Sequence, residues 1–167
     1  MIEIEITREM YNVAWAKSRD MGKLKKSITQ GDGNIAGFIG EALAHSVIGG
    51  IIANTKDYDI ITENSLYIDV KTKRCKSEPL PHYEASVAAY NTVQLCDYYS
   101  FVRVEYINNE YTRGWYLGHM SKSEYYQKAK KLYAGDRDGD NHFKVKSNCY
   151  NVPISDLSLD FSVFKKV

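Results

Sequence analysis

Between Asp32 and Lys56 the chain carries one formally charged residue, Glu41, set in a stretch of Ile, Ala, Gly, Phe and Leu. Ile35, Phe38, Ile39, Ala42, Leu43 and Val47 recur at the 3.6-residue period. The spacing predicts a helix from about 35 to 47, with Asn34 as its cap and Gly49-Gly50 as its end. On a helical wheel Glu41 lies beside Phe38 and His45, while Gly37, Gly40 and Ala44 make a smooth flank that another backbone can approach. A helix that is apolar or small on nearly every side has to be covered on nearly every side. This asks for layers packed around it. A carboxylate within it is costly unless it is paired, protonated or metal-bound; a buried Arg partner or a proton would serve as well as a site.

The next segment reads as two strands, 58 to 62 and 66 to 73, joined by the polar turn Glu63-Asn64-Ser65. Along the second, Leu66, Ile68 and Val70 point to one face and Tyr67, Asp69, Lys71 and Lys73 to the other. One face therefore packs on the core, and Asp69 and Lys71 are neighbours on the other. Asp59 lies ten residues before Asp69, so an antiparallel hairpin would set the two carboxylates side by side. Elsewhere the pattern predicts a helix over 8 to 20 capped by Thr7 and a turn at Gly31-Asp32-Gly33-Asn34. A further helix is expected over 84 to 96. A hairpin of Tyr99–Ile107 and Tyr111–His119 would turn at Asn108-Asn109. Ser121 and Glu124 form a capping box for a helix to about Leu132, and 143 to 164 holds one or two strands. This order implies an α/β or α+β domain with a central mixed sheet flanked by helices.

Composition narrows the classes. The 167 residues are 44% hydrophobic and 26% charged, the balance of one soluble domain spanning 1–167 rather than a disordered or fibrous chain. No apolar run approaches the ~20 residues of a spanning helix, so no membrane is expected. The acidic, alternating N-terminus does not read as a signal peptide. Three cysteines without paired spacing point away from a disulfide framework and toward the cytoplasm. The net charge of +1 excludes a globally basic nucleic-acid coat and leaves local patches. One gathers Lys17, Arg19, Lys23, Lys25 and Lys26; the other gathers Lys71, Lys73, Arg74 and Lys76. Taken alone, either is an ordinary solvated face.

Two carboxylates held together repel unless a cation lies between them. Mg²⁺ prefers oxygen ligands and is commonly held by one or two carboxylates plus substrate phosphate. An adjacent lysine can orient the attacking water and offset charge developing on the phosphate. Asp-x-Lys alone is common on surface strands as a weak pair; Glu41 is what makes the set notable.

The order helix Glu, then Asp, then Asp-x-Lys resembles the PD-(D/E)xK nuclease superfamily. More narrowly, GDGNIAGFIGEALAH, YDI, IDVKTKR, SVAAYNTVQLCDYYSFVRV and GWYLGHMSKSEYYQKA look like small phage-type members, over about Gly31 to Ala129 and weakly over Asn148 to Leu157. The resemblance implies a restriction-endonuclease-like core, Mg²⁺ (or Mn²⁺) as cofactor and DNA as partner. By position, Glu41 matches the helix acid, Asp59 the first motif's acid, and Asp69 and Lys71 the second motif. Gln94, on the following helix, matches a polar position near the site. Glu41, Asp59, Asp69 and the Val70 carbonyl would ligate the metal, and Lys71 would orient the water. Lys73, Arg74, Lys23, Lys25 and Lys26 would contact phosphates. Tyr58 stands where the motif has proline, Asp57 could replace Asp59, and Lys73 could replace Lys71. Such a small domain cutting both strands of a duplex would act as a homo-oligomer. A catalytically inactive DNA-binding or host-interaction module on the same fold is the alternative.

Other features carry less. Asp136–Asn141 lacks the glycine and glutamate of a calcium loop at the sixth and twelfth positions, where Asn141 and Ser147 stand. His45, His82, His119 and His142 with the cysteines do not have zinc-ligand spacing. The fourteen tyrosines could stack on bases, but strand packing accounts for them equally.

Overall fold

A computed structural model of the chain describes residues 1–21, 34–53, 55–137 and 144–166. Among these, the helices are α1 (Arg8–Met21), α2 (Asn34–Ile48) and α3 (Lys122–Lys128). The strands are β1 (Ile2–Glu5), β2 (Ile51–Ile52), β3 (Ile60–Ile61), β4 (Tyr67–Cys75), β5 (Glu84–Ala88), β6 (Tyr98–Ile107), β7 (Glu110–Ser121), β8 (Lys130–Leu132) and β9 (Cys149–Pro153). The fold is α+β. A six-stranded mixed sheet runs in the order β1-β7-β6-β4-β3-β2, and a smaller sheet runs β5-β9-β8. Only the β4–β6 pair is parallel.

The sheet is covered on both faces, as the apolar helix requires. On one face Ile39, Leu43 and Ala44 of α2 pack on Ile60, Ile68, Val102, Val104 and Tyr116. Leu66 and Val70 join this core, so the aliphatic side of β4 faces α2. On the other face Tyr99, Phe101, Trp115 and Leu117 meet Ala85, Val87 and Val152 of the small sheet and Tyr125 of α3. The Tyr125 hydroxyl donates to the carbonyls of Tyr150, at 2.6 Å, and Ala85, at 3.0 Å, tying α3 to two strands. Gly40 is where α2 comes closest to the sheet. A Cβ there would lie 1.9 Å from Thr72 Oγ1, whereas one on Gly37 would meet nothing within 4 Å. Of the small residues on that flank, Gly40 is thus the one that α2 needs.

The expected caps and turn follow their chemistry. Thr7 Oγ1 accepts from Met10 N–H at 3.2 Å, and Ser121 Oγ from Glu124 N–H at 3.3 Å. Asn108 and Asn109 both take positive φ, 52° and 64°, which asparagine tolerates better than most residues, so the β6–β7 turn closes without glycine. The turn expected at 31 to 34 and the side chain of Asn34 lie outside the described residues.

Two expectations need correction. Residues 84 to 96 are not a helix. Glu84–Ala88 is a strand, Ala89–Val93 a short 3-10 turn, and Gln94 leaves it extended. Ala85 and Val87 alternate inward, and their pairing with Val152 and Tyr150 of β9 overrides the helical preference of the alanines. The helix after Ser121 stops at Lys128, because Lys130–Leu132 pairs with β9.

Candidate active site

The site forms where the sheet opens. Strand β3 pairs with β4 only through Ile60↔Ile68 and Ile61↔Tyr67. Beyond Ile68, the Val70 N–H on that side is taken by a side chain, Asp59 Oδ2, at 2.7 Å. The Asp59 N–H donates to Ile68 O at 2.8 Å. Thr55 Oγ1 braces the preceding loop, accepting from Tyr58 N–H at 3.0 Å and donating to Tyr58 O at 2.7 Å. Asp59 is therefore fixed against β4, with Asp69 opposite it when the pairing register is carried one residue outward.

Asp69 is 4% exposed, on the sheet face of Tyr99 and Phe101. Lys71 Nζ lies 2.5 Å from Asp69 Oδ2 and donates to Gln94 Oε1 at 2.9 Å. The Gln94 amide donates to Asp69 Oδ1 and to the Lys56 carbonyl, each at 3.1 Å. Lys71, Asp69 and Gln94 thus close a ring of three side chains, with Lys71 5.8 Å from the centre of the Tyr99 ring. Gln94 reaches this ring from an extended residue after a 3-10 turn, not from a helix. Lys122 donates to the Gln94 carbonyl and so holds it in place. Nothing in the sequence singled out Lys122; the β6–β7 pairing, which sets Ser121 opposite Tyr98 and the Lys122 N–H on the Asp97 carbonyl, brings it here.

Glu41 comes from the opposite side, one residue past the Gly40–Thr72 contact. Its carboxyl is pushed up to about 8, first by burial and then by the charges of Asp59 and Asp69, with Lys17 of α1 opposing. Asp59 is pushed up to about 7 by burial and by Asp69, against the Val70 N–H, Lys71 and Lys17. Burial also raises Asp69, while Lys71 and Gln94 pull it back. The acids thus act on one another: both aspartates raise Glu41, and Asp69 raises Asp59.

The donor set is all oxygen, with Asp69 buried and Glu41 and Asp59 half-buried, which suits a hard divalent cation. It is not a finished cage: among the described residues no three His, Cys, Asp or Glu side chains are arranged to hold a metal ion. The two oxygens of Asp69 are engaged by Lys71 and Gln94. Mg²⁺ typically takes only one or two carboxylates and fills its shell with water and phosphate. Residues fitting that pattern are Asp59 and Asp69, with Glu41 within range of their charge.

The other candidates fall as follows. Asp57 accepts from Leu95 N–H at 3.3 Å and so braces the loop. Lys73 follows Lys71 on the same face and donates to Ser86 Oγ at 2.6 Å. Arg74 belongs to the opposite face, its guanidinium 5.0 Å from the Tyr106 ring. Lys23, Lys25 and Lys26 lie outside the described residues, as does part of the 136–141 loop. His119 is buried among Tyr98, Phe161 and Phe164, a core histidine. Among the described residues no helix is long and apolar enough to cross a membrane. No protein-family model matches this chain, and no curated protein does either.

Proposed function

We propose that the protein is a divalent-metal-dependent deoxyribonuclease, with Glu41, Asp59, Asp69 and Lys71 as its reacting centre. The observation that supports this is Lys71 held by Asp69 and Gln94 on β4, with Asp59 fixed beside them on the Val70 N–H and Glu41 of α2 near enough for both aspartates to raise its carboxyl. Gathering acids that raise one another's pKa costs stability, a cost that a purely stabilising contact would not incur.

In hydrolysis the oxygen of a water forms a bond to phosphorus, and the bond from phosphorus to the departing strand's oxygen breaks. The proton lost by the water passes to a carboxylate of the cluster, and the departing oxygen takes one from solvent. Lys71 orients the water and donates to the phosphate oxygens as their charge grows. Gln94 keeps Lys71 on station, and Lys73 holds a neighbouring phosphate. Mg²⁺ or Mn²⁺ held by Asp59 and Asp69, with Glu41 and the Val70 carbonyl, would supply Lewis-acid activation and charge neutralisation.

A second reading has one observation in its favour. Lys71 already occupies Asp69, as in a module that binds nucleic acid without cutting it. Incubating plasmid and single-stranded DNA with the protein, with and without Mg²⁺, separates the two. Cleavage that requires the ion and falls at least a hundredfold in Lys71→Ala is expected. Intact DNA with every divalent ion tried, or equal activity in Lys71→Ala, would overturn the proposal.

A further inference from the structure

A half-open pocket lies where the two sheets meet. Where β5 and β9 cover β4 and β6, a cavity of about 380 Å³ remains. Its lining joins two kinds of surface. Phe101, Leu117 and Val145 are apolar; Lys71, Lys73, Arg103 and Lys146 are basic, against one acid, Glu84. Arg103 is held in place by donating to the Glu84 carbonyl at 2.8 Å.

A third element is an unanswered acceptor. Asn151 of β9 also lines the cavity, is only 5% exposed, and its Oδ1 has no hydrogen-bond partner. Leaving such a group unpaired costs about 1–3 kcal/mol, so it asks for a donor from whatever enters. The occupant thus needs an anionic group for the lysines, a flat apolar body for Phe101 and Leu117, and an N–H or O–H for Asn151. A nucleotide has all three.

Position and size narrow the class further. Lys71 belongs both to this cavity and to the acid cluster, so a phosphate at that end would lie at the reacting centre. The volume is near the low end of the roughly 300–1,000 Å³ typical of ligand pockets. It suits one nucleotide, and a base stacked and paired in a duplex cannot enter the space between two sheets without leaving its partner. We infer that the cavity receives one unpaired nucleotide beside the scissile phosphate, so that the substrate is a single strand or an unpaired end. This rests on the nuclease reading above and adds its substrate class.

The test measures binding in EDTA, where nothing is cut. The probes are a dye-labelled oligothymidylate and a blunt duplex of the same length, read by fluorescence anisotropy. The single strand is expected to bind at least tenfold tighter, although the duplex has the denser charge. Asn151→Leu removes the acceptor and Ala88→Phe fills the cavity. Each, once circular dichroism shows it folded, should lower oligothymidylate affinity at least fivefold and leave duplex binding unchanged. Equal affinity of the wild type for the two probes overturns the inference, and so does undiminished oligothymidylate binding by both folded variants. The wild-type comparison needs no substitution, so it stands even if both variants unfold. Repeating both probes with Mg²⁺ separates the two claims. Equal binding with cleavage removes the pocket and spares the nuclease, while strand-selective binding without cleavage does the reverse.

Discussion

Replacing Glu41 with glutamine removes a half-buried ionisable group and nearly keeps the side chain's shape. The folded chain holds a proton on Glu41 up to about pH 8, whereas the unfolded chain releases it near 4.5. The folded state therefore binds more protons between those values, and stability falls as pH rises through that window. Below about pH 4.5 the favourable contribution is complete; above about pH 8 it is gone. At about 1.4 kcal/mol per pH unit of displacement, and discounting for partial solvent access, the loss is roughly 3–4 kcal/mol. Glu41→Gln does not suffer it. The variant should match the wild type near pH 4.5 and exceed it by that amount at pH 8, which for a chain of this size is roughly 10 °C in melting temperature. Thermal melts in EDTA from pH 4.5 to 9 measure the difference. Adding Mg²⁺ at pH 8 should raise the wild type by more than the variant, because a bound cation stabilises the ionised acids. A constant offset between the two proteins at every pH would refute the reasoning, since it would mean that Glu41 is ionised and solvated throughout.

Three further predictions follow from other contacts. Gln94→Ala frees Lys71 and Asp69 from each other's geometry and should lower cleavage by roughly tenfold to a hundredfold, the range for residues that orient a metal site, while calorimetry shows little change in melting. Gly40→Ala drives a Cβ into Thr72 and should destabilise by about 1–3 kcal/mol in urea melts; adding Thr72→Ala should recover part of it, and strictly additive effects would disprove the contact. Tyr125→Phe removes the hydroxyl that reaches both Ala85 O and Tyr150 O and should lower stability by about 1–2 kcal/mol in urea melts.

Much of the frame was legible along the chain. Alternation of Leu66, Ile68 and Val70 with Tyr67, Asp69 and Lys71 defines β4 and its two faces, because side-chain direction in a strand depends only on parity. The 3.6 period and near-absence of charge define α2 as a covered helix, and paired asparagines suffice for the β6–β7 turn. The spacing of Asp59 and Asp69 about a short turn likewise carries its own register. Other features needed partners that no local pattern names. Ala85 and Val87 suit a helix or a strand equally, and β9, more than sixty residues on, decides between them. Lys122 joins the site because the β6–β7 register sets Ser121 opposite Tyr98, and Glu41 approaches β4 because Gly40 lets the helix sit against Thr72. The sequence by itself determined which faces had to be buried and which side chains would be adjacent along one element. Tertiary structure alone decided which faces meet, because that choice depends on shape and hydrogen-bond pairing between segments distant in the chain.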